Sequence, residues 1–266
     1  MPALAAGARL ASVELLRAGA AELGLTLTSE QIAAFRTYSR ELLEWNQRIN
    51  LTAITDEREV ETRHFLDSLT CLLALAPRHA DGTLDPDAVS GSAVDVGAGA
   101  GFPGLPLAIV CPGLRVTLIE SVGKKGRFLE HTVAALGLAN ATVVVGRAED
   151  LARHPRQRDR HDYALARALA PLPVLLEYCL PFLRPGGLLV APKKGDVDDE
   201  LRAAQPAVRA LHGRWLPPLP VNISLLPDGR LLIVVEKAGP TPPMFPRRAG
   251  LPAKQPLGLR RKSLAG

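Results

Sequence analysis

Glycine occupies every second position at the end of the stretch Val94-Asp95-Val96-Gly97-Ala98-Gly99-Ala100-Gly101, and Phe102-Pro103-Gly104 follows. An apolar run leads into these glycines and a helical pattern leads out of them. The chemistry such a segment supports is close approach. A backbone without side chains turns sharply and lets a ligand lie directly against it. In an open α/β sheet this loop sits at the carboxyl edge of the first strand, where ligands bind. The helix N-terminus beyond it favours negative ligand groups.

Two ligand classes compete for the loop. Gly99, Gly101 and Gly104 fit G-x-G-x-x-G, which points to a dinucleotide. Gly97, Gly99 and Gly101, with Asp95 as the acid before them, fit the pattern of S-adenosylmethionine-dependent methyltransferases. Both readings need an acid at the end of the next strand for ribose hydroxyls, and Glu120 stands 19 residues after Gly101. A carboxylate at Asp95 suits an amino-acid ammonium better than a pyrophosphate. Glu149, in Arg147-Ala148-Glu149-Asp150, follows the third apolar run, where an adenine amino group needs an acceptor. These acids favour S-adenosylmethionine. A nicotinamide-dependent oxidoreductase and a ligand-free structural loop are the other readings.

The elements that must position these residues alternate. Apolar runs at 93–96, 115–119, 142–145, 163–166 and 188–191 are separated by helical patterns near 104–111, 124–137, 171–183 and 197–212. Strand-helix alternation predicts a mostly parallel sheet covered on both faces. Residues 219–225 and 230–236 flank Pro227-Asp228-Gly229, a hairpin signal that adds an antiparallel pair. The expected fold is therefore a Rossmann-like α/β methyltransferase with a mostly parallel seven-stranded sheet. Residues 1–76 read as an N-terminal helical cap, and residues 1–25 as an ordinary or frayed helix. Thr28 with Gln31, and Asp56 with Glu59, mark helix starts. Residues 92–239 read as the cofactor-binding domain and 240–266 as a Pro-rich basic tail with little regular structure.

Composition narrows the class. With 266 residues, 47% of them apolar, the chain can bury one large core. No apolar run approaches the roughly 18 residues of a membrane span. Cys71, Cys111 and Cys179 form no CxxC pair and read as buried reduced thiols of a cytoplasmic protein. The six histidines show no metal-ligand spacing, so no metal site is expected. The net charge is +5, and Arg247, Arg248, Lys254, Arg260, Arg261 and Lys262 place the excess in the tail. Such a tail suits a polyanion such as nucleic acid, or serves as a solvated end. No exposed apolar stripe stands out, so a monomer is expected.

Trp45-Asn46 with Asn50-Leu51-Thr52, Arg63-His64 with Asp67-Ser68, the 94–104 loop, Lys124-Lys125 with Arg127-Phe128-Leu129, Ala148-Glu149 and Ala166-Arg167-Ala168 together resemble one family. It is the glucose-inhibited division protein B family, bacterial methyltransferases of small-subunit ribosomal RNA. The resemblance covers roughly residues 40–240. It implies that Gly97 and Phe102 line the methionine and ribose end of S-adenosylmethionine. It places Glu120, Ser121 and Val122 at the ribose and one adenine face, and Ala148 and Glu149 at the adenine edge. Arg167 is implied at the end of the fourth strand, near the cofactor carboxylate and the target base, as a positioning group. The run Pro192-Lys193-Lys194-Gly195 departs from the family's single lysine before glycine, which leaves open which lysine faces the site.

The resemblance further implies methyl transfer to N7 of a guanine in 16S rRNA. That nitrogen carries a free lone pair, so no general base is needed, and none is expected; His64 beside Asp67 reads as a hydrogen-bonding residue. Catalysis would then rest on positioning. RNA contacts are expected from Lys124, Lys125, Arg127, Lys193, Lys194, Arg247, Arg248 and Lys254, and from the Arg153-Arg156-Arg158-Arg160 loop. Trp45, Asn46, Asn50 and His64 are expected to pack the cap onto the sheet, with framing of the target base as the alternative. Deleting residues 240–266 is expected to weaken RNA binding and leave cofactor affinity alone. A methyltransferase acting on a small molecule or protein, and an RNA-binding protein without activity, are the remaining alternatives.

Overall fold

The computed structural model describes residues 13–258. Residues 1–12 of the expected N-terminal helix and the cations Arg260, Arg261 and Lys262 lie outside the described residues. The chain opens with α1 (Glu14–Leu23) and α2 (Ser29–Asn46). Thr28 caps α2 in a full capping box with Gln31, a device worth about 1 kcal/mol. Asp56 caps α3 (Glu57–Glu59) by accepting from the Glu59 amide. The helix then widens into a π-helical segment, Val60–Leu66, before α4 (Asp67–Leu69) and α5 (Leu72–Leu75).

The sheet-forming part runs β1 (Gly91–Val96), α6 (Gly104–Val110), β2 (Leu114–Glu120), α7 (Gly123–Ala135), β3 (Ala141–Val145), α8 (Ala148–Leu151), β4 (His161–Leu165) and α9 (Leu172–Cys179). It continues through β5 (Leu183–Lys194), α10 (Asp198–Ala210), β6 (Gly213–Trp215), β7 (Leu219–Pro220) and β8 (Arg230–Lys237), and α11 (Leu251–Lys254) closes it. Strand order is β3-β2-β1-β4-β5-β8-β6, with β7 paired to β8 off this path. The strands β1 to β5 are mutually parallel, and β8 is antiparallel to β5, β6 and β7. The order reverses between β1 and β4, so the carboxyl ends of these strands flank the crevice where open α/β sheets bind ligands.

Alternating side chains divide the interior into two layers. Ala93, Val116, Leu118, Val190 and Val234 pack toward α1, α2 and α6 in one core that the cap shares with the sheet. Val94, Val96, Ile119, Leu189 and Val235 pack toward α9 and α10 in the other. Cys71, Cys111 and Cys179 are buried and unpaired. No helix among the described residues is long and apolar enough to cross a membrane.

Three sequence expectations change. The hairpin shrinks: only Leu219 and Pro220 pair with β8, because Pro220 brings no amide and Val221, Ile223 and Leu226 turn into the cap-side core. Pro192, Lys193 and Lys194 lie within β5, paired to β8, rather than after it. The tail is not free of structure, since Phe245 and Pro252 are buried and α11 packs near α9.

Candidate active site

The glycine loop is built from below. Asp95 is completely buried on the cap-side face of β1, and its Oδ2 accepts from the Gly104 amide at 2.8 Å. A Cβ at Gly104 would lie 2.7 Å from that oxygen, so the bond requires glycine there. Burial raises the Asp95 carboxyl to about 7, opposed by the Gly104 hydrogen bond and by Arg167. Its Oδ1 is buried without a partner. Gly97, at φ +71°, would drive a Cβ to 2.4 Å from Leu169, which closes the loop against the turn after β4.

Glu120 holds the loop from β2. Its Oε2 accepts from the Gly99 amide at 3.0 Å and its Oε1 from the Val122 amide at 2.8 Å. Each carboxylate oxygen has a second lone pair, so both can still accept from ribose hydroxyls. The adjoining cleft of about 200 Å³ is lined by Val96, Gly97, Ser121, Ala148, Glu149 and Tyr178 among others. Expected cofactor residues from β1, β2 and the α8 turn thus meet in one cavity. Val122 is exposed and, like Glu120 and Phe102, is not among the residues that line this cleft. The orphaned Asp95 Oδ1 and the Glu120 carboxylate, both acceptors, with the side-chain-free cradle between them, fit an aminoacyl nucleoside such as S-adenosylmethionine.

A second cleft, about 580 Å³, opens on the other side of the turn after β4. Arg63, His64, Asp67, Arg167, Lys193, Lys194, Glu200 and Arg230 all line it. Leu169 lines the first cleft while Arg167 and Ala168 line the second. Ala168 adopts φ +52°, a left-handed conformation that an alanine rarely takes. The Arg167 guanidinium donates to Asp67 Oδ2 at 2.7 Å and to the Arg63 carbonyl at 2.8 Å. It also reaches His64 Nδ1 at 3.0 Å and lies 4.9 Å from the centre of the Phe102 ring. Arg230 donates to the other oxygen of the buried Asp67. Lys193 pairs with Glu200 at 2.8 Å, and Lys194 is exposed; both lysines line this cleft.

His64 stacks on Phe102 at 4.4 Å between ring centres. Burial and the neighbouring Arg167 lower its pKa to about 3. Arginine only donates, so Nδ1 accepts and the proton sits on Nε2, which faces Thr52 Oγ1 at 2.8 Å. Both ring nitrogens are therefore engaged. Tyr38 on α2 donates to the Ala100 carbonyl and stacks on Phe102 at 5.3 Å, so the cap buttresses the loop. Asn46 bonds the 51–52 backbone and Trp45 packs on Phe128 and His131.

Not all expected RNA residues are free. Lys124, Arg127, Arg248 and Lys254 are exposed, and Lys125 is half-buried. Arg247 instead grips the fully buried Glu177 through both its backbone amide and its guanidinium. Arg153 and Arg158 donate to the tail carbonyls of Pro246, Phe245, Thr241 and Pro242. These arginines tie the tail down, because a buried carboxylate and unpaired carbonyls need donors. Sequence reasoning did not single out Tyr38, Leu169, Tyr178 or Arg230. Their partners are distant in the chain, and no local spacing marks them.

The model of the family "GidB: rRNA small subunit methyltransferase G" matches residues 31–215. A ribosomal RNA small subunit methyltransferase G of Roseiflexus castenholzii is 48% identical, covering 92% of this chain and 99% of its own. Its counterpart in Deinococcus deserti is 47% identical over 92% of this chain and 96% of its own. A mutant of MtNAS solved in complex with S-adenosylmethionine shares the fold, with a TM-score of 0.50 at 15% identity, covering 85% of this chain and 77% of that one. With a family model matching residues 31–215 and relatives this similar along nearly its whole length, the chain belongs to the rRNA small subunit methyltransferase G (GidB) family.

Proposed function

We propose that this protein transfers a methyl group from S-adenosylmethionine to N7 of a guanine in 16S rRNA, acting as a monomer on the small ribosomal subunit in the cytoplasm. The observation that carries the reading is the meeting of two clefts at one turn. One is lined by Gly97, Ser121 and Glu149, the other by Arg63, Arg167, Lys193, Lys194 and Arg230 with Asp67, Glu200 and Asp228 among them, and residues 167–169 run from one to the other. The first would hold the cofactor through Gly97, Phe102, Glu120, Ser121, Val122, Ala148 and Glu149. The second is large enough for a nucleotide. Its Arg63, Lys193, Lys194 and Arg230 suit the phosphates on either side of the target base.

S-adenosylmethionine supplies an electrophilic sulfonium methyl when bound. The chain's own residues supply alignment. Arg167, fixed by Asp67, His64 and the Arg63 carbonyl, forms a rigid partition against which both reactants can be oriented. Holding two reactants in line lowers a barrier by roughly 7–11 kcal/mol in favourable cases. Guanine N7 needs no deprotonation, and His64, with both nitrogens engaged, is not built to provide it. The methylated purine is cationic; Glu200 and Asp228 line the second cleft but already pair with Lys193 and Arg230, so each meets the purine only as those cations turn to phosphate.

The test is acceptor class. Purified protein with labelled S-adenosylmethionine is offered unmodified small ribosomal subunits, naked 16S rRNA, bulk protein and a pool of small metabolites. Label should enter the rRNA, and Lys194→Ala should slow transfer mainly through a raised KM for the subunit. Label confined to protein or metabolites would overturn the reading while leaving the cofactor in place.

A further inference from the structure

The tail runs back to the cofactor cleft. Glu149, 2% exposed, accepts at Oε1 from the backbone amide of Gly250 at 2.7 Å. Arg147 approaches the same oxygen at 3.6 Å. Oε2 takes no hydrogen bond from the described residues. The contact is not a passing one, because its flanks are fixed. Arg247 is bound to the buried Glu177 on α9, the helix that also brings Tyr178 to the cleft. Phe245 is buried in the core layer beneath α9; Arg158 donates to its carbonyl and Arg153 to that of Pro246.

The consequence follows from carboxylate chemistry. The terminal torsion of a glutamate is soft and roughly two-fold, so a lone carboxylate does not choose which oxygen it presents. A buried one also suffers desolvation unless donors compensate it. A backbone amide aimed at Oε1 answers both needs: it stabilises the charge and fixes the plane, leaving Oε2 with free lone pairs. Charge-assisted bonds of this kind are stronger than neutral ones.

We propose that the Gly250 amide is a positioning donor of the cofactor site. It orients Glu149 so that Oε2 accepts from the exocyclic amino group of the adenine ring, and residues 241–250 thereby help select an aminopurine. This rests on reading the first cleft as the S-adenosylmethionine site. It replaces the expectation that removing the tail leaves cofactor affinity alone.

Isothermal calorimetry of S-adenosylmethionine binding, without RNA, tests it. Gly250→Pro removes the amide hydrogen in the full-length chain and also shifts the backbone there, because Gly250 holds φ +79° and proline fixes φ at about −65°. A chain ending at Arg248 removes the residue but keeps Phe245 and Arg247. Thermal unfolding without cofactor shows that each variant is folded. Both should bind S-adenosylmethionine about tenfold more weakly, a loss of about 1.4 kcal/mol. In a Glu149→Ala background neither should add more than about twofold, as coupled residues behave in a double-mutant cycle. An analogue carrying hydrogen in place of the adenine amino group should bind all the Glu149-containing forms alike. Unchanged affinity in both tail variants, or an equal loss in the Glu149→Ala background, would overturn the proposal. If Glu149→Ala itself bound S-adenosylmethionine as tightly as the unaltered chain, the reading of the cleft would fail first, which is a distinguishable result.

Discussion

His64 sits at the junction of both clefts, and its environment determines what it can do. It is buried, stacked on Phe102 and hydrogen-bonded on both nitrogens. Its pKa, lowered to about 3 by burial and by Arg167, keeps it neutral across the working range. The unfolded chain protonates this residue near its ordinary value of 6.5 while the folded chain resists until about 3. Between those values the unfolded state binds more protons, so stability falls as pH drops through that window. His161, lowered to about 4, acts in the same direction. Asp95, raised to about 7, acts in the opposite one, losing stability as pH rises toward 7. The difference between the unaltered chain and His64→Gln isolates the histidine. Denaturant unfolding from pH 7 to pH 4 should show the unaltered chain losing about 1.4 kcal/mol more per pH unit than His64→Gln at the steepest point. Parallel curves would mean that His64 is not held neutral by the fold. At this scale the glycines, Glu120 and Glu149 were legible, because their chemistry depends on local spacing. Tyr38 and Arg230 were not, since Tyr38 meets Ala100 and Arg230 meets Asp67 only after the chain has folded.

Among the elements, the turn after β4 and the tail carry the most information. The strand itself was visible as an apolar run, and Arg167 at its end followed from resemblance. The left-handed Ala168 had no signature in the sequence, because glycine or asparagine is the usual mark of that conformation. The tail shows how composition misleads. Six cations and no acid read as a solvated or RNA-binding arm, but the acids that hold the described part are Glu177 and Glu149, far upstream. Arg247→Met would leave the buried Glu177 with only the residue 247 backbone amide and no counter-charge, and should destabilise the chain by about 3 kcal/mol in denaturant unfolding. The slope of log affinity for rRNA against log salt should stay where it was. A phosphate contact predicts the reverse, with stability kept and the slope reduced by about one. The hairpin was misread for a related reason. Pro220 and the buried Val221, Ile223 and Leu226 follow the demands of the core, not the alternation of a strand.

The whole molecule reads as one α/β unit with its cap built into it. Strand-helix alternation was enough to place the parallel sheet and both of its covered faces. It could not show that α1, α2 and the π-helical segment share a core with β1, β2 and β8, because that contact joins residues far apart in the chain. Through this shared core Tyr38 and His64 reach Phe102, so the cap forms one wall of the reaction site. In the proposed function the two clefts deliver a methyl group to a guanine nitrogen that needs no base. The direct measurement is nuclease digestion of rRNA methylated by the purified protein from labelled S-adenosylmethionine, followed by mass identification of the labelled nucleoside and mapping of its position. Label is expected only in 7-methylguanosine, at a single position. Label on a ribose hydroxyl, or on a base nitrogen that must first lose a proton, would contradict it.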